Sequence, residues 1–363
     1  MAGRKKKSAG RMPLWLYVLI VAVIALVTYF CTSGEAEGGD PQPPAASAAA
    51  QQTPADETLT VRFLDVGQGD SILLACGDET MLIDGGPVEE GQFLVSRLNR
   101  LDVAELTYVV NTHPDEDHCG GLAAVLAKYP AEHVYSSVTE YTTKVFSNVV
   151  KYADEQGHPV EVPQTGDSWT LGSASVQVIG PVQTYSDPNN GSLVLRVDYG
   201  GTSFLFTGDM EQKAETDLMA SGANVQADVL KAGHHGSPTS SSEAFLEAVA
   251  PSIAVISVGK DNDYGHPSAD VLARLEALGT AIYRTDTQGE IIITSDGQTL
   301  TVTTDPTSRE PAAGKDAPFI GNRNSMIVHS ANCAKLPGED NRVYFNTAEE
   351  AEEYGYQKHT CIK

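Results

Sequence analysis

In the stretch VVNTHPDEDHCGGL, Val109 to Leu122, two histidines and three acidic residues fall within six positions directly behind an apolar run. Carboxylates that close repel one another, and the mouth of a core strand gives them little solvent. Imidazole and carboxylate groups crowded together become favourable when divalent cations sit between them. A mixed nitrogen and oxygen set suits Zn or Mn, and a larger carboxylate share moves the preference toward the harder ion. Similar residues close other apolar runs: Asp84 in LIDGG, Asp209 in FTGDM, and His234 and His235 in KAGHHGS. If these ends meet along one edge, the chain collects donors for one or two divalent ions. Such a pair lowers the pKa of a bridging water and clamps the attacking and leaving oxygens of an in-line displacement.

The elements that must bring these groups together are legible as alternating runs. LTVRFLDV, SILLAC and TMLIDGG are short apolar strands broken by GQGD and GDE, which reads as a meander. Phe93, Leu94, Leu98 and Leu101 give Glu89 to Leu101 a helical spacing, and LTYVVNTH is a buried strand. A helix over Gly121 to Lys128, a strand near HVYSS and a helix over Lys144 to Glu155 follow. The second half repeats the scheme. SASVQVIG, GSLVLRVDYG and TSFLFTGD are strands, followed by a helix over Gln212 to Ala220. ADVLKAGHH, a helix over Glu243 to Val249, SIAVISVG, a helix over Ala269 to Leu278 and GEIIITSDG complete it. Strand runs with helices in both halves predict an α/β chain with two sheets face to face and helices outside.

The rest of the chain constrains location. Its 363 residues carry a net charge of −24, unevenly spread. Arg4, Lys5, Lys6, Lys7 and Arg11 hold five of the 24 basic residues, which leaves 19 against 48 acidic ones. A body so acidic offers a polyanion no general attraction. The basic tip precedes LWLYVLIVAVIALVTYFC, eighteen uncharged residues, about the length that crosses a bilayer as a helix. Positive charge on one flank predicts the N-terminus inside and the body outside the cell, anchored by one helix. Secretion after signal cleavage is the alternative. SGEAEGGDPQPPAASAAAQQTPADE, Ser33 to Glu57, has too little apolar surface to fold and reads as a tether.

From Leu59 to Thr304 the chain resembles the metallo-β-lactamase superfamily, in particular the hydrolase domain of ComEC-type competence proteins. The strings that carry the resemblance are FLDVGQGDSILL, LIDGG, NTHPDEDHCGGL, GSLVLRVDYGGTSFLFTGDM, VLKAGHHGS and DYGHPSADVLARL. The resemblance implies an αββα sandwich. It also implies roles. His113 and Asp115 would hold one metal, Asp117 and His118 the second, Asp209 would bridge, and His235 would complete the second site. His234 would then meet a substrate phosphate or support the site. The family's further histidine has no counterpart near DPNNGSLVL, where Asn190 or Ser192 stands as a weak stand-in and a candidate substrate contact, so the first metal should be the looser. Asp117 could also accept a proton, and Asp84 should orient a ligand histidine. Gln68, with Asp65 and Asp70, lies in a glycine-rich turn at the mouth, as a substrate contact or a structural turn. Lys231 and His266 are expected to neutralise a phosphate oxygen.

After a second linker the chain ends FIGNRNSMIVHSANCAKLPGEDNRVYFNTAEEAEEYGYQKHTCIK, which resembles the small metal-binding module of the Ada DNA-repair protein. His329, Cys333, His359 and Cys361 could hold one Zn, or the two cysteines could pair outside the cell. The resulting division is 1–31 basic tip and transmembrane helix, 32–58 linker, 59–304 hydrolase domain, 305–317 linker, and 318–363 small α+β module. The expected activity is a metal-dependent nuclease or phosphodiesterase acting on DNA, as a monomer, with a separate DNA-uptake permease as a possible partner. A hydrolase of a phosphocholine ester, lactone or thioester is the alternative.

Overall fold

The computed structural model describes residues 57–309, 317–322 and 324–362. The expected membrane helix and nearly all of the first linker lie outside the described residues. Among the described residues no helix is long and apolar enough to cross a membrane.

Two seven-stranded sheets carry the body. β1 (Leu59–Phe63), β2 (Ile72–Cys76), β3 (Glu79–Ile83), β4 (Leu106–Asn111) and β5 (Ala131–Ser136) belong to the first. The second holds β6 (Ser168–Leu171), β7 (Ala174–Gly180), β8 (Val194–Tyr199), β9 (Thr202–Phe206), β10 (Val229–Lys231), β11 (Ile253–Ile256) and β12 (Ala281–Arg284). β13 (Glu290–Ser295) and β14 (Leu300–Asp305) then return to the first sheet, giving the order β14-β13-β1-β2-β3-β4-β5. The second sheet runs β12-β11-β10-β9-β8-β7-β6. β6, β12 and β14 have no counterpart in the sequence reading. β6 and β12 are short, and all three are largely half-buried or exposed, so no apolar run marks them.

Alternation along the strands makes the layers. Met81 and Ile83 of β3, and Phe204 and Phe206 of β9, enter the core between the sheets, while Leu82 and Leu205 point outward. Side chains of successive strand residues face opposite ways, so both faces of these strands are apolar only because both are covered. Helices cover them. Gly91–Arg100 and Lys144–Gln156 pack on the first sheet. Glu243–Val249 and Ala269–Ala277 pack on the second. The second helix of each pair, and Glu243–Val249, begins at a hydroxyl cap: Thr143, Ser242 and Ser268 each accept the amide three residues on. This is the expected αββα arrangement.

The 318–363 segment forms its own small sheet: β15 (Phe319–Asn322), β16 (Ile327–Ser330), β17 (Arg342–Phe345) and β18 (Gln357–Lys358), with helix Ala348–Glu353. It packs on helix Gly91–Arg100, where the Arg100 guanidinium lies 3.9 Å from the Tyr354 ring centre and also donates to its hydroxyl. The second linker is not wholly free. Arg309 bonds Glu90 (2.6 Å) and the Asp65 carbonyl (2.9 Å), strapping the start of that segment to the glycine-rich turn.

Candidate metal centre

β1 and β3 run parallel because each is antiparallel to β2, and β4 follows β3 in parallel. β9, β10 and β11 are parallel in the other sheet. The segments that leave their C-terminal ends therefore meet along one edge. Three of these segments supply the centre: Asp117 and His118 follow β4, Asp209 follows β9 and His235 follows β10. Their donor atoms all lie within 4.8 Å of one another. His118 Nε2 is 3.1 Å from Asp209 Oδ1 and 3.3 Å from His235 Nε2, which in turn is 3.3 Å from Asp117 Oδ2.

The backbone is shaped for this approach. His234 and His235 both adopt left-handed conformations (φ 50° and 52°), which costs a side-chain-bearing residue energy and turns the second imidazole inward. A Cβ at Gly69 would lie 2.2 Å from the Asp117 carbonyl, and Asp70 N donates to that same carbonyl. Only glycine lets the GQGD turn reach the metal-site loop.

Behind the donors stands a set of positioning groups. Asp84, fully buried, accepts from Thr112 N, Thr112 Oγ1 and Asn111 Nδ2, and its Oδ2 is 2.8 Å from His118 Nδ1. That leaves Nε2 of His118 facing the centre. His235 is fixed likewise: its Nδ1 lies 2.9 Å from the Ser257 carbonyl and 3.3 Å from Asp70 Oδ1.

The electrostatics ask for positive charge. Burial alone would pull His235 down, yet Asp209, Asp117 and Asp70 drive it up to about 10. His118 is likewise buried but held well above the usual range by Asp209 and Asp84. Asp209 is buried too, and its neighbours His118 and His235 hold it well below the usual range. The ring of carboxylates thus favours positive charge at the centre, which a divalent cation would supply. His113 Nε2 is buried without a hydrogen-bond partner. This donor set fits a divalent metal.

His113 and Asp115 stand apart from the tight group. His113 Nε2 is 3.8 Å from Asp115 Oδ2, and burial, with His118 beside it, pulls His113 down to about 4. Ser192 Oγ is 3.4 Å from His113 Nδ1 and accepts Asp209 N. The buried Ser192 therefore positions two donors instead of meeting substrate. Asn190 differs from expectation in the same way: its carboxamide caps Ala214 N and reaches Asp187 and Glu211, which makes it part of a helix start.

Lys231 does not face the cleft as expected. Its side chain is fully buried, with Nζ 2.8 Å from Asp70 Oδ2, so it cannot reach a phosphate in the cleft. It neutralises Asp70, and Asp70 holds His235. The acid of the GQGD turn is thus structural and internal.

What remains open to solvent is a cleft of about 200 Å³ lined by Gln68, Asp115, Asp117, Asn189, Asp209, His234, His235, Tyr264 and His266. Gln68 Oε1 accepts Gly259 N, joining the two loops that border it. His234 is partly exposed and contacts Asp209 (3.6 Å) and Glu211 (3.5 Å). Burial and the neighbouring His234 lower the pKa of His266. Asn189 and Tyr264 were not singled out from sequence; the YGHP string was the available signal for the second. A larger groove of about 570 Å³ flanks the Pro114 side but holds no imidazole, and Asp187 is its only carboxylate.

In the small module, His329 Nδ1 lies 3.4 Å from Cys333 Sγ, and Cys333 Sγ lies 3.7 Å from His359 Nδ1. With Cys361 they form a second group whose donors fall within 4.8 Å. Both cysteines are free thiols.

Comparison with known proteins agrees with this geometry. The chain is 32% identical over 250 residues to ComE operon protein 3 of Bacillus subtilis, covering 64% of this chain and 32% of that protein. It is 36% identical over 239 residues to competence protein ComA of Neisseria gonorrhoeae, covering 65% and 32%. Recombination protein 2 of Haemophilus influenzae is 32% identical over 242 residues, covering 64% and 28%. The chain therefore spans about a third of the length of the curated relatives it matches. The family model of the metallo-beta-lactamase superfamily matches residues 64–260, more than half of the chain, and those residues supply both sheets' contributions to the centre. The protein belongs to the metallo-beta-lactamase superfamily.

Proposed function

We propose that the protein is a metal-dependent phosphodiesterase, a nuclease acting on DNA outside the cell, tethered by the N-terminal helix. The observation that carries this reading is the convergence of Asp117, His118, Asp209 and His235 within 4.8 Å at one sheet edge, backed by Asp84 and Asp70. Asp117, His118, Asp209 and His235 would hold one divalent ion, Zn or Mn. His113 and Asp115 would hold a second, more weakly, because only two side chains serve it. Divalent ions bound there acidify water and stabilise charge on phosphoryl oxygens.

The chain's own residues then do the positioning. Asp84 keeps His118 Nε2 toward the centre, and Ser257 with Asp70 does the same for His235. His234 and His266 stand at the open side of the cleft, where a phosphate oxygen can take a proton or hydrogen bond from either. The relatives' names, competence and recombination, support DNA as the first substrate to test. A separate uptake permease would supply it. In the small module, the convergence of His329 and His359 with Cys333 and Cys361 within 4.8 Å favours one Zn over a disulfide.

The test is incubation of the purified protein with plasmid and single-stranded DNA in Mn or Zn, beside Asp117→Ala. Degradation that stops with EDTA and vanishes in the variant is expected. Survival of both DNAs while a phosphocholine ester, lactone or thioester is cleaved would refute the nuclease and leave the metal centre intact.

A further inference from the structure

Tyr264 is 71% exposed, and the other exposed large apolar side chains among the described residues are aliphatic. It lines the metal cleft. One face of its ring stacks on His266 (5.7 Å between centres, 22° between planes), and His266 meets His234 edge-on at 5.7 Å. So exposed a ring adds little to the core, yet its loop is tightly fixed. Asn262 Oδ1 accepts both Tyr264 N (3.2 Å) and His266 N (3.1 Å), while Asn262 Nδ2 donates to the Gly259 and His266 carbonyls. A ring held in place before a ligand arrives avoids the cost of ordering it on binding.

The cleft has a second peculiarity. No lysine or arginine lines it, although three aspartates do. Lys231, the basic residue of the neighbouring motif, is spent on Asp70. Nucleic acid is ordinarily held by phosphate neutralisation, and here no lysine or arginine of the lining supplies it. Stacking is the other general source of affinity, and it tolerates any sequence because every base has a π-face.

We infer that Tyr264 is a stacking platform for the base of the nucleoside adjoining the scissile phosphate, so that ring contact replaces basic side chains in holding nucleic acid at the cleft. This rests on the phosphodiester reading above. The ring's outward face takes the base, while the face on His266 keeps that imidazole directed at the phosphate.

The experiment compares the Mn-loaded full chain in detergent with Tyr264→Ala, Tyr264→Leu and Tyr264→Phe. Two esters are used: thymidine 5′-(p-nitrophenyl phosphate) and methyl p-nitrophenyl phosphate, which lacks a base. The wild type should prefer the nucleoside ester by on the order of ten-fold or more, expressed through KM. The Ala and Leu variants should lose that preference and the Phe variant should keep it. Tyr264→Ala with the wild-type preference, or a wild type that shows none, would overturn the inference while leaving phosphodiester hydrolysis standing. If the wild type cleaves neither ester, the phosphodiester reading has failed and the platform falls with it.

Discussion

Replacing Lys231 with methionine tests whether it serves Asp70 or the substrate. At 2.8 Å and an effective dielectric of about 20, the attraction between the two charges is about 6 kcal/mol. Desolvation of both groups offsets much of that, but removing one partner strands the other. Loss of one member of a buried pair costs about 3–5 kcal/mol, and Lys231→Met should fall in that range. Asp70→Asn should cost a similar amount, and the double variant clearly less than the two together. Urea unfolding monitored by circular dichroism measures all four proteins. Asp70 also holds His235, so metal affinity should drop about 10- to 100-fold in Lys231→Met. The pH dependence has a definite sign. Burial would raise the Asp70 carboxyl, but Lys231 and His235 outweigh it and hold it below its ordinary 3.8. A depressed carboxylate contributes stability that is present above the unfolded value and lost as pH falls below it. The gap between wild type and Lys231→Met should therefore narrow below about pH 4. If Lys231→Met unfolds with the wild-type midpoint and instead raises KM for a phosphodiester, Lys231 faces the cleft and the reasoning is wrong.

Other outcomes follow from the same geometry. The protein should purify with one to two divalent ions; His118→Ala should lose the tighter and Asp115→Ala mainly the looser, as metal analysis after dialysis would reveal. Gly69→Ala should cost at least about 2 kcal/mol and displace Asp117, since its Cβ would meet the Asp117 carbonyl at 2.2 Å; wild-type stability with full metal content would contradict this. Burial, with Asp84 nearby, pushes Cys119 up to about 12, so maleimide at neutral pH should leave it untouched while Cys333 and Cys361 react in chelated protein and are shielded by added Zn. Equal labelling with and without Zn argues against metal in the module. Protease applied to intact cells should release the body, and protection until lysis would reject the extracellular topology.

The edge that gathers the candidate donors was legible from sequence because its residues closely follow apolar runs. Asp84, Asp117, His118, Asp209 and His235 each sit one to seven positions past a strand that periodicity reveals. Lys231 was misread for the opposite reason. It stands at a strand end beside two site histidines, and nothing local says that its partner is the acid of a turn near the start of the domain. Asn190 and Ser192 were read as stand-ins for a ligand, whereas their partners, Ala214 N and Asp209 N, are backbone groups that only the fold identifies. Arg309 sits in a stretch whose composition is that of a linker, and its contacts with Asp65 and Glu90 depend on where β14 delivers it. Spacing announces donors; pairing between distant segments it leaves silent.

The return of β13 and β14 to the first sheet has a temporal consequence. Leu59 lies opposite Ser295 in the register of β1 with β13, so the first strand of the body waits for almost the last before its open side is covered. During synthesis, β1 remains an unpaired edge on that side until residues near 295 have emerged. Contacts of such sequence separation form slowly, and partly made sheets with open edges invite wrong pairing. The donors following β4, β9 and β10 all precede that late strand in the chain, so every residue of the centre has been made before the sheet behind it can close.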